Sequence, residues 1–261
     1  MSKLRRLTLT ALPKVPLSRL CGILTAIPLP RAIRPGFFRW FARRYGASLD
    51  DIASDLADFR SLQAFFRRGL KPTARPIADS QLVWPCDGRI VTAGRFDEGR
   101  IPQVKGNDYS LADLLGSNEF ARELAGGYQA TIYLAPGDYH RVHSAFAGTV
   151  LDVQAIKGTL FPVNPPAVRC IDNLFARNSR HVFRCKMANG TPAAIVMVGA
   201  YNVGGTFVTA PSGDIACGQE VGQFGFGSTV VLVIGKGGGS LLPVEPEQRV
   251  IMGMAASAPT I

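Results

Sequence analysis

The stretch Gly225-Phe-Gly-Ser228-Thr-Val-Val-Leu-Val-Ile234 decides how the rest of the chain is interpreted. From Thr229 onward it is a continuous β-branched and apolar run, which is typical of a short buried strand. Gly225 and Gly227 lack a Cβ, so the backbone before the strand can turn tightly and approach other groups closely. The pattern predicts a core strand with the Ser228 hydroxyl at its mouth. Ser228 is then either part of a structural turn or bulge, or a reacting group that needs partners elsewhere.

The net charge of +10 comes from the start of the chain, here called the basic arm (residues 1–49). The arm has no Asp or Glu, while the remaining 19 basic residues match the 19 acidic ones. Such an arm suits nucleic acid or anionic lipid. Its ten basic residues are Lys3, Arg5, Arg6, Lys14, Arg19, Arg31, Arg34, Arg39, Arg43 and Arg44.

The apolar content of the basic arm favours lipid and argues against nucleic acid. Its longest uncharged run, 20–30, contains two prolines and is too short to span a bilayer. Residues 35–45 place aromatic side chains at helical spacing with arginines mainly on the other side, which predicts an amphipathic helix at a membrane surface. Packing of this helix on the main domain is the alternative, and both can hold. The aromatic residues are Phe37, Phe38, Phe41 and Tyr45.

Two further helical signals and a linker complete the N-terminal region (residues 1–80). The sequence 48–51 resembles a capping box and is followed by apolar residues on one face up to Phe59, which predicts a helix there. Ser61 is a candidate N-cap for a second short helix that ends at Gly69. Residues 71–79, with two prolines, form the predicted linker.

Residues 81–261 have the texture of a mainly β domain. Short β-branched runs alternate with glycine turns, and one helical insertion is predicted over 111–124. The predicted fold class is α+β: N-terminal amphipathic helices, then a largely antiparallel, barrel-sandwich-like catalytic domain. The five cysteines are scattered and form no Cys-x-x-Cys pair, which indicates a reducing compartment and no structural zinc site.

Candidate catalytic groups are few, because the chain has only three histidines. His140 and His143 lie together and suit acid–base chemistry or metal binding, although a structural role is the simpler alternative. Asp87, in an Asp-Gly pair, is either a turn residue or a carboxylate that orients a histidine. Ser228, His143 and Asp87 together can fill the roles of nucleophile, base and orienting group. His181 stands among arginines and is interpreted as a surface residue.

An ordered set of motifs from about Phe59 to Val233 resembles the phosphatidylserine decarboxylase family. Three details depart from the family's usual pattern: Ser144-Ala145 follows the second histidine, Phe226 precedes the Gly-Ser pair, and Cys86 precedes the aspartate. These departures concern the substrate pocket and remove no reacting group. The motifs are Phe65-Phe66-Arg67-Arg68, Arg75-Pro76-Ile77, Pro85-Cys86-Asp87-Gly88, Lys105-Gly106-Asn107-Asp108-Tyr109-Ser110-Leu111, Asp138-Tyr139-His140-Arg141-Val142-His143, Val163-Asn164, Asn173-Leu174-Phe175-Ala176-Arg177-Asn178, Val198-Gly199-Ala200, Gly218-Gln219-Glu220-Val221-Gly222-Gln223-Phe224 and Gly227-Ser228-Thr229.

The resemblance implies a proenzyme that cleaves itself between Gly227 and Ser228. Asp87, His143 and Ser228 would form the self-cleavage triad, giving a large chain (1–227) and a small chain (228–261) that remain together as a heterodimer. Ser228 would become a covalent pyruvoyl group, which serves as the cofactor and the Schiff-base site. His140 would donate the proton after decarboxylation, and no metal would be needed.

The resemblance also implies the substrate, the products and the location. Phosphatidylserine would be converted to phosphatidylethanolamine and carbon dioxide in phospholipid biosynthesis, by a peripheral protein on the cytoplasmic face of the cell membrane. Anionic phospholipid would be the partner of the basic arm, and nucleic acid would not be a partner. Two other classes stay open from the residues alone: a zinc-dependent hydrolase that uses His140 and His143, and a non-catalytic membrane-bound barrel-sandwich module.

Overall fold

Strand β12 (Ser228–Ile234) lies inside the largest sheet, as its apolar run predicts. The computed structural model describes residues 20, 22–97, 99–104, 107–200, 205–225 and 228–258. All seven residues of β12 are buried, and the strand pairs antiparallel with β4 (Tyr128–Leu134) on one side and β8 (Pro192–Val198) on the other. Because both edges are paired, β12 is held by two ladders of backbone hydrogen bonds.

The β domain is built from one eight-stranded and two smaller antiparallel sheets. The large sheet has the order β10-β6-β7-β8-β12-β4-β1-β13, the second is β5-β11-β9 and the third is β2-β3. The other strands are β1 (Gly88–Arg95), β2 (Arg100–Val104), β3 (Asn107–Ser110), β5 (Arg141–His143), β6 (Gly148–Ile156), β7 (Arg180–Met187), β9 (Thr206–Val208), β10 (Gly213–Ile215), β11 (Glu220–Phe224) and β13 (Arg249–Val250).

The large sheet is covered by apolar side chains on both faces. Alternate residues of β12 point to opposite sides: Val230 joins a core cluster with Trp84, and Val231 joins a second cluster with Phe175. Since neither face meets water, the strand reads as a continuous apolar run and lacks polar–apolar alternation.

The N-terminal region forms its own small aromatic core. Helix α1 (Arg34–Tyr45) confirms the helix predicted at this position, and it ends at Gly46, whose φ of 73° is in the left-handed region. Helix α2 (Leu62–Phe66) begins at Ser61, whose Oγ accepts a hydrogen bond from the Ala64 N–H at 3.2 Å, as predicted for an N-cap. The buried residues of this core are Phe38, Phe41, Ile52, Phe59, Phe65 and Phe66.

The helix predicted after residue 48 does not form. Only a 3-10 turn, Leu56–Asp58, appears in that segment. The backbone of the segment pairs instead with the chain near Leu70: the Ala53 N–H donates to Gly69 O, and Asp51 O accepts from the Lys71 N–H. These hydrogen bonds to a distant segment override the local capping signal.

The insertion predicted over 111–124 is helical, as two short helices. Helix α3 (Leu111–Leu115) ends at Gly116 (φ 69°), and α4 (Asn118–Glu123) starts anew with Ser117 as its N-cap. Two further short helices are α5 (Pro165–Val168) and α6 (Leu174–Arg177). The α+β class with a mainly β, largely antiparallel domain is confirmed. No helix among the described residues has the length and apolarity needed to cross a membrane.

Candidate active site

Ser228 lies buried at the first position of β12. Its register partner is Leu134, the last residue of β4. The Ser228 Oγ has no hydrogen-bond partner among the residues that the structure describes. A buried hydroxyl without a partner costs free energy, so no hydrogen bond among the described residues gives this serine a structural role. Phe226 and Gly227 lie outside the described residues, and so the backbone of the predicted cleavage bond does as well.

The two histidines come to the same end of β4. The chain leaves β4 at Leu134, passes His140 and enters β5. The Phe224 N–H at the end of β11 donates to His140 O at 2.9 Å, which places His140 beside the segment that leads into β12. His143 pairs with Glu220 of β11, and its N–H donates to Pro85 O at 2.8 Å. The β4–β12 and β5–β11 pairings therefore place the histidines beside β11 and the segment that leads to Ser228.

Asp87 reaches this end of β4 through the start of β1. Gly88, the next residue, packs so closely that an added Cβ would meet Tyr133 O at 2.5 Å. Only glycine permits that approach. The Asp-Gly pair thus does more than form a turn, because the glycine lets the Asp87 backbone lie against β4. The sequence-predicted residues Asp87, His140, His143 and Ser228 all lie at this one end.

The ring of His143 is held in one tautomer. Its Nδ1 lies 2.8 Å from Gly218 O, which can only accept, so Nδ1 carries the hydrogen. Its Nε2 lies 3.2 Å from the Tyr139 Oη and therefore accepts from that hydroxyl. Burial lowers the pKa of His143 below its usual value. The charges of Glu220 and, to a smaller extent, Asp87 act in the opposite direction and offset part of this shift. A neutral ring with a lone pair on Nε2 is a general base.

His140 is held in the same tautomer but has a free second nitrogen. Its Nδ1 donates to Asp138 O at 2.8 Å, and its fully buried Nε2 has no partner among the described residues. Burial lowers the pKa of His140 to about 3. The ring is neutral at rest, so it must first take up a proton before it can donate one.

The N-terminal region supports the loop that carries His140. The Phe66 ring packs edge-on against the His140 ring with centroids 4.9 Å apart. The buried guanidinium of Arg68 donates to Gly137 O at 2.9 Å and Asp138 O at 3.0 Å. Desolvation lowers the pKa of Arg68 to about 10, so it remains charged at neutral pH. These contacts fix the carbonyl that orients His140.

The carboxylate of Asp87 is paired with Arg75. Asp87 is 1 % exposed; its Oδ1 accepts from Arg75 Nε at 3.1 Å and from the Met252 N–H at 2.9 Å, and its Oδ2 accepts from Arg75 Nη2 at 2.7 Å. None of the hydrogen bonds among the described residues joins Asp87 to His143. The assignment of Asp87 as the group that orients His143 stays a prediction.

Sequence reasoning assigned no role to four residues that complete the site. They belong to motifs that were recognised as family markers, yet their function depends on contacts between distant segments. The signal that points to Arg75 is the rule that a buried carboxylate needs a positive partner. The four residues are Arg68, Arg75, Tyr139 and Gly218.

The third histidine differs from its predicted surface position. His181 on β7 is half-buried, and its Nδ1 has no partner among the described residues. Burial lowers its pKa. It faces a small cavity of about 260 Å³, whose other lining residues include Lys157 and Gly199 and which contains none of the four predicted site residues.

Three potential ligands for a metal do not come together. Within the described ranges, no group of three His, Cys, Asp or Glu side chains is placed to hold an ion.

The matching family model and the individual relatives point to the same family. The family model described as phosphatidylserine decarboxylase matches residues 62–258. A phosphatidylserine decarboxylase proenzyme of Anaeromyxobacter sp. is 40 % identical, with 94 % of each chain covered. Proteins of the same name from Chromobacterium violaceum (40 % identical; 85 % of this chain, 86 % of the relative) and Marinobacter nauticus (38 %; 92 % and 91 %) are also similar. A model matched over most of the chain, and relatives of this identity over nearly their whole length, establish that the chain belongs to the phosphatidylserine decarboxylase family.

Proposed function

We propose that this chain decarboxylates phosphatidylserine to phosphatidylethanolamine, after cleaving itself between Gly227 and Ser228. One observation carries the proposal: the buried hydroxyl of Ser228, which has no partner among the described residues, lies at the start of β12, at the end of β4 where Asp87, His140 and His143 also lie. Family membership supplies the reaction class, and the placement of these groups supports their roles.

Self-cleavage starts with Ser228. Its Oγ bonds to the carbonyl carbon of Gly227 and the C–N bond breaks, so the amide becomes an ester. His143 accepts the hydroxyl proton at Nε2 and passes it to the departing nitrogen. Elimination then breaks the Cα–H and Cβ–Oγ bonds of residue 228: the proton passes to a base, Gly227 leaves as a carboxylate, and dehydroalanine remains. Water converts that residue to a pyruvoyl group and ammonia.

Tyr139 must move before His143 can act. In the resting arrangement its hydroxyl occupies the Nε2 lone pair of His143 at 3.2 Å. The bond is long for an O–H donor, so its loss costs little. In the resting arrangement Gly218 O keeps the proton on Nδ1, which leaves Nε2 as the basic atom.

His140 acts after cleavage, in the decarboxylation of lipid. The pyruvoyl carbonyl, once formed, supplies an electron sink for the electron pair left when carbon dioxide departs. His140 is neutral at rest, and an anionic substrate near its Nε2 raises its pKa so that it takes up a proton. It then returns this proton to the substrate carbon.

The two chains made by cleavage stay together as a heterodimer. The small chain begins with β12, whose two neighbours, β4 and β8, both belong to the large chain. All seven residues of β12 are buried, so its departure would expose the centre of both core clusters. Cleavage at the start of a paired strand removes one covalent bond and leaves this packing intact.

The N-terminal region places the enzyme on an anionic membrane. Several large apolar residues there are exposed, among them Ile23 (64 %), Leu24 (57 %) and Trp40 (52 %). Arginines of α1 lie on the same region, a combination suited to an interface of apolar tails and anionic headgroups. We propose that the protein is a peripheral protein at the cytoplasmic face of the cell membrane.

Loss of these exposed side chains should weaken membrane binding. The triple variant Ile23→Ser, Leu24→Ser, Trp40→Ser is expected to bind phosphatidylserine-containing vesicles at least about tenfold less tightly, since each large apolar side chain contributes on the order of 1.5–3 kcal/mol when buried. Vesicle sedimentation measures this. The control is Leu151→Ser with Met254→Ser, which removes exposed apolar groups from the β domain. Equal binding by the triple and control variants would contradict the membrane role.

The proposed activity has a direct test. Purified wild-type chain should release carbon dioxide from phosphatidylserine in detergent-mixed vesicles. Borohydride in the presence of substrate should abolish the reaction, because it reduces a carbonyl-based adduct, whereas a strong metal chelator should leave the rate unchanged. Loss of activity with the chelator and recovery on adding zinc would favour a zinc-dependent enzyme instead.

A further inference from the structure

We propose that Arg75 is a positioning residue for self-cleavage, acting through Asp87. This inference rests on the proposed function and on the predicted self-cleavage triad, in which Asp87 orients the ring of His143. Arg75 fixes the carboxylate and leaves one of its acceptor positions open for that ring.

The guanidinium of Arg75 binds the Asp87 carboxylate through two hydrogen bonds, as a bidentate fork. Its Nε and Nη2 donate to different carboxylate oxygens at 3.1 and 2.7 Å. Such a planar fork restricts both the position and the rotation of a carboxylate, which a lysine cannot do. Asp87 is almost fully buried, whereas Arg75 is 13 % exposed, so this is a largely desolvated pair.

The Arg75–Asp87 pair leaves one hydrogen-bond acceptor position of the carboxylate open. A carboxylate has about four lone-pair positions. Arg75 fills one on each oxygen, and the Met252 N–H fills the second on Oδ1 at 2.9 Å. One position on Oδ2 remains without a donor among the described residues. A protonated His143 that turns away from Gly218 O is the natural donor for it.

Arg75 also joins the site to the N-terminal region. Its Nη1 donates to Asp51 Oδ2 at 3.2 Å and to Ala74 O at 2.7 Å. Asp51 lies beside Ile52, which packs in the aromatic core around α1 and α2. The guanidinium is therefore anchored on its far side, and the fork that faces Asp87 does not depend on Asp87 alone for its orientation.

A double-mutant cycle tests the inference. The chain is produced by cell-free translation, and uncleaved and cleaved forms are followed over time on denaturing gels. Arg75→Gln should slow cleavage at least about tenfold, and Arg75→Lys, which keeps the charge but loses the fork, should fall between it and wild type. In an Asp87→Asn background, Arg75→Gln should cause no further loss, because its effect passes through Asp87.

The controls separate this role from general destabilisation. Arg184→Gln removes an ion pair of similar length, to Glu123 at 2.8 Å, away from the site, and should cleave at the wild-type rate. If Arg75→Gln fails to fold, Arg75→Lys and the double variant with Lys decide the question. Wild-type rates in the Arg75 variants, or a loss that adds to that of Asp87→Asn, would overturn the inference.

The same experiment distinguishes this inference from the proposed function. An uncleaved wild-type chain, or an Asp87→Asn variant that cleaves normally, would contradict the proposed function. Normal wild-type cleavage with slow Asp87→Asn and unaffected Arg75 variants would contradict only the role of Arg75.

Discussion

Replacement of Ser228 by alanine should leave a single full-length chain on a denaturing gel, where the wild type gives two. The substitution removes the only atom that can form the ester with Gly227, so no residual slow cleavage is expected, and decarboxylation should be lost with it. The folded structure should change little, because the Oγ has no partner among the described residues and its loss leaves no donor or acceptor unpaired there.

Thr229→Val is the matched control for this prediction. Thr229 is the next residue of β12, is equally buried, and likewise has an Oγ1 without a partner among the described residues. Valine has nearly the same shape, and the variant should be cleaved and active. Two fragments from Ser228→Ala, or an uncleaved Thr229→Val, would contradict the assignment of the nucleophile.

Substitution of the two neighbouring histidines should separate the two reactions. His143→Ala removes the general base and should block self-cleavage, with the loss of at least about 10²-fold in rate that is usual for such a base. His140→Ala should still be cleaved but should decarboxylate lipid poorly, since its Nε2 holds the proton for the second step. Cleavage is measured on gels, and decarboxylation by carbon dioxide release.

A conservative variant and a remote variant serve as controls for this comparison. His140→Asn offers an amide that can donate to Asp138 O in place of Nδ1, so the loop should keep its shape while the basic atom is lost. His181→Ala tests the remaining histidine and should be cleaved and active, because the cavity that His181 lines contains none of the four predicted site residues. If both His140 variants stay uncleaved, the division of labour between the histidines is wrong.

The elements that could be predicted from sequence are those in which local pattern and burial agree. The run after Ser228 is apolar on both faces because β12 is covered on both sides, so pattern alone identified it as a core strand. The helical spacing of the aromatic residues in 35–45 likewise predicts α1, because the local pattern there agrees with the burial. The helix predicted after Ser48 does not form, because the backbone of this segment pairs with residues near Leu70. A local sequence signal does not contain such a contact between distant segments.

The candidate site also contains residues that sequence predicts and contacts that it does not predict. Ser228, His140, His143 and Asp87 could be proposed from sequence because histidine is rare in this chain and the motifs that hold these residues resemble one family. The contacts that hold these four residues in place could not be predicted from the sequence. That Asp87 is paired with Arg75, and that Gly218 O fixes the tautomer of His143, depend on which loops the strand order brings together. Sequence identified the chemistry, and the fold supplies the groups that orient it.

The central claim, that the cofactor is made from Ser228, is tested most directly by the intact mass of the purified wild-type protein under denaturing conditions. We predict two masses: residues 1–227 with an ordinary carboxyl end, and residues 228–261 lighter by one ammonia molecule than the same peptide beginning with serine. A single mass for the uncleaved chain, or a small chain that begins with an unmodified serine, would contradict the account.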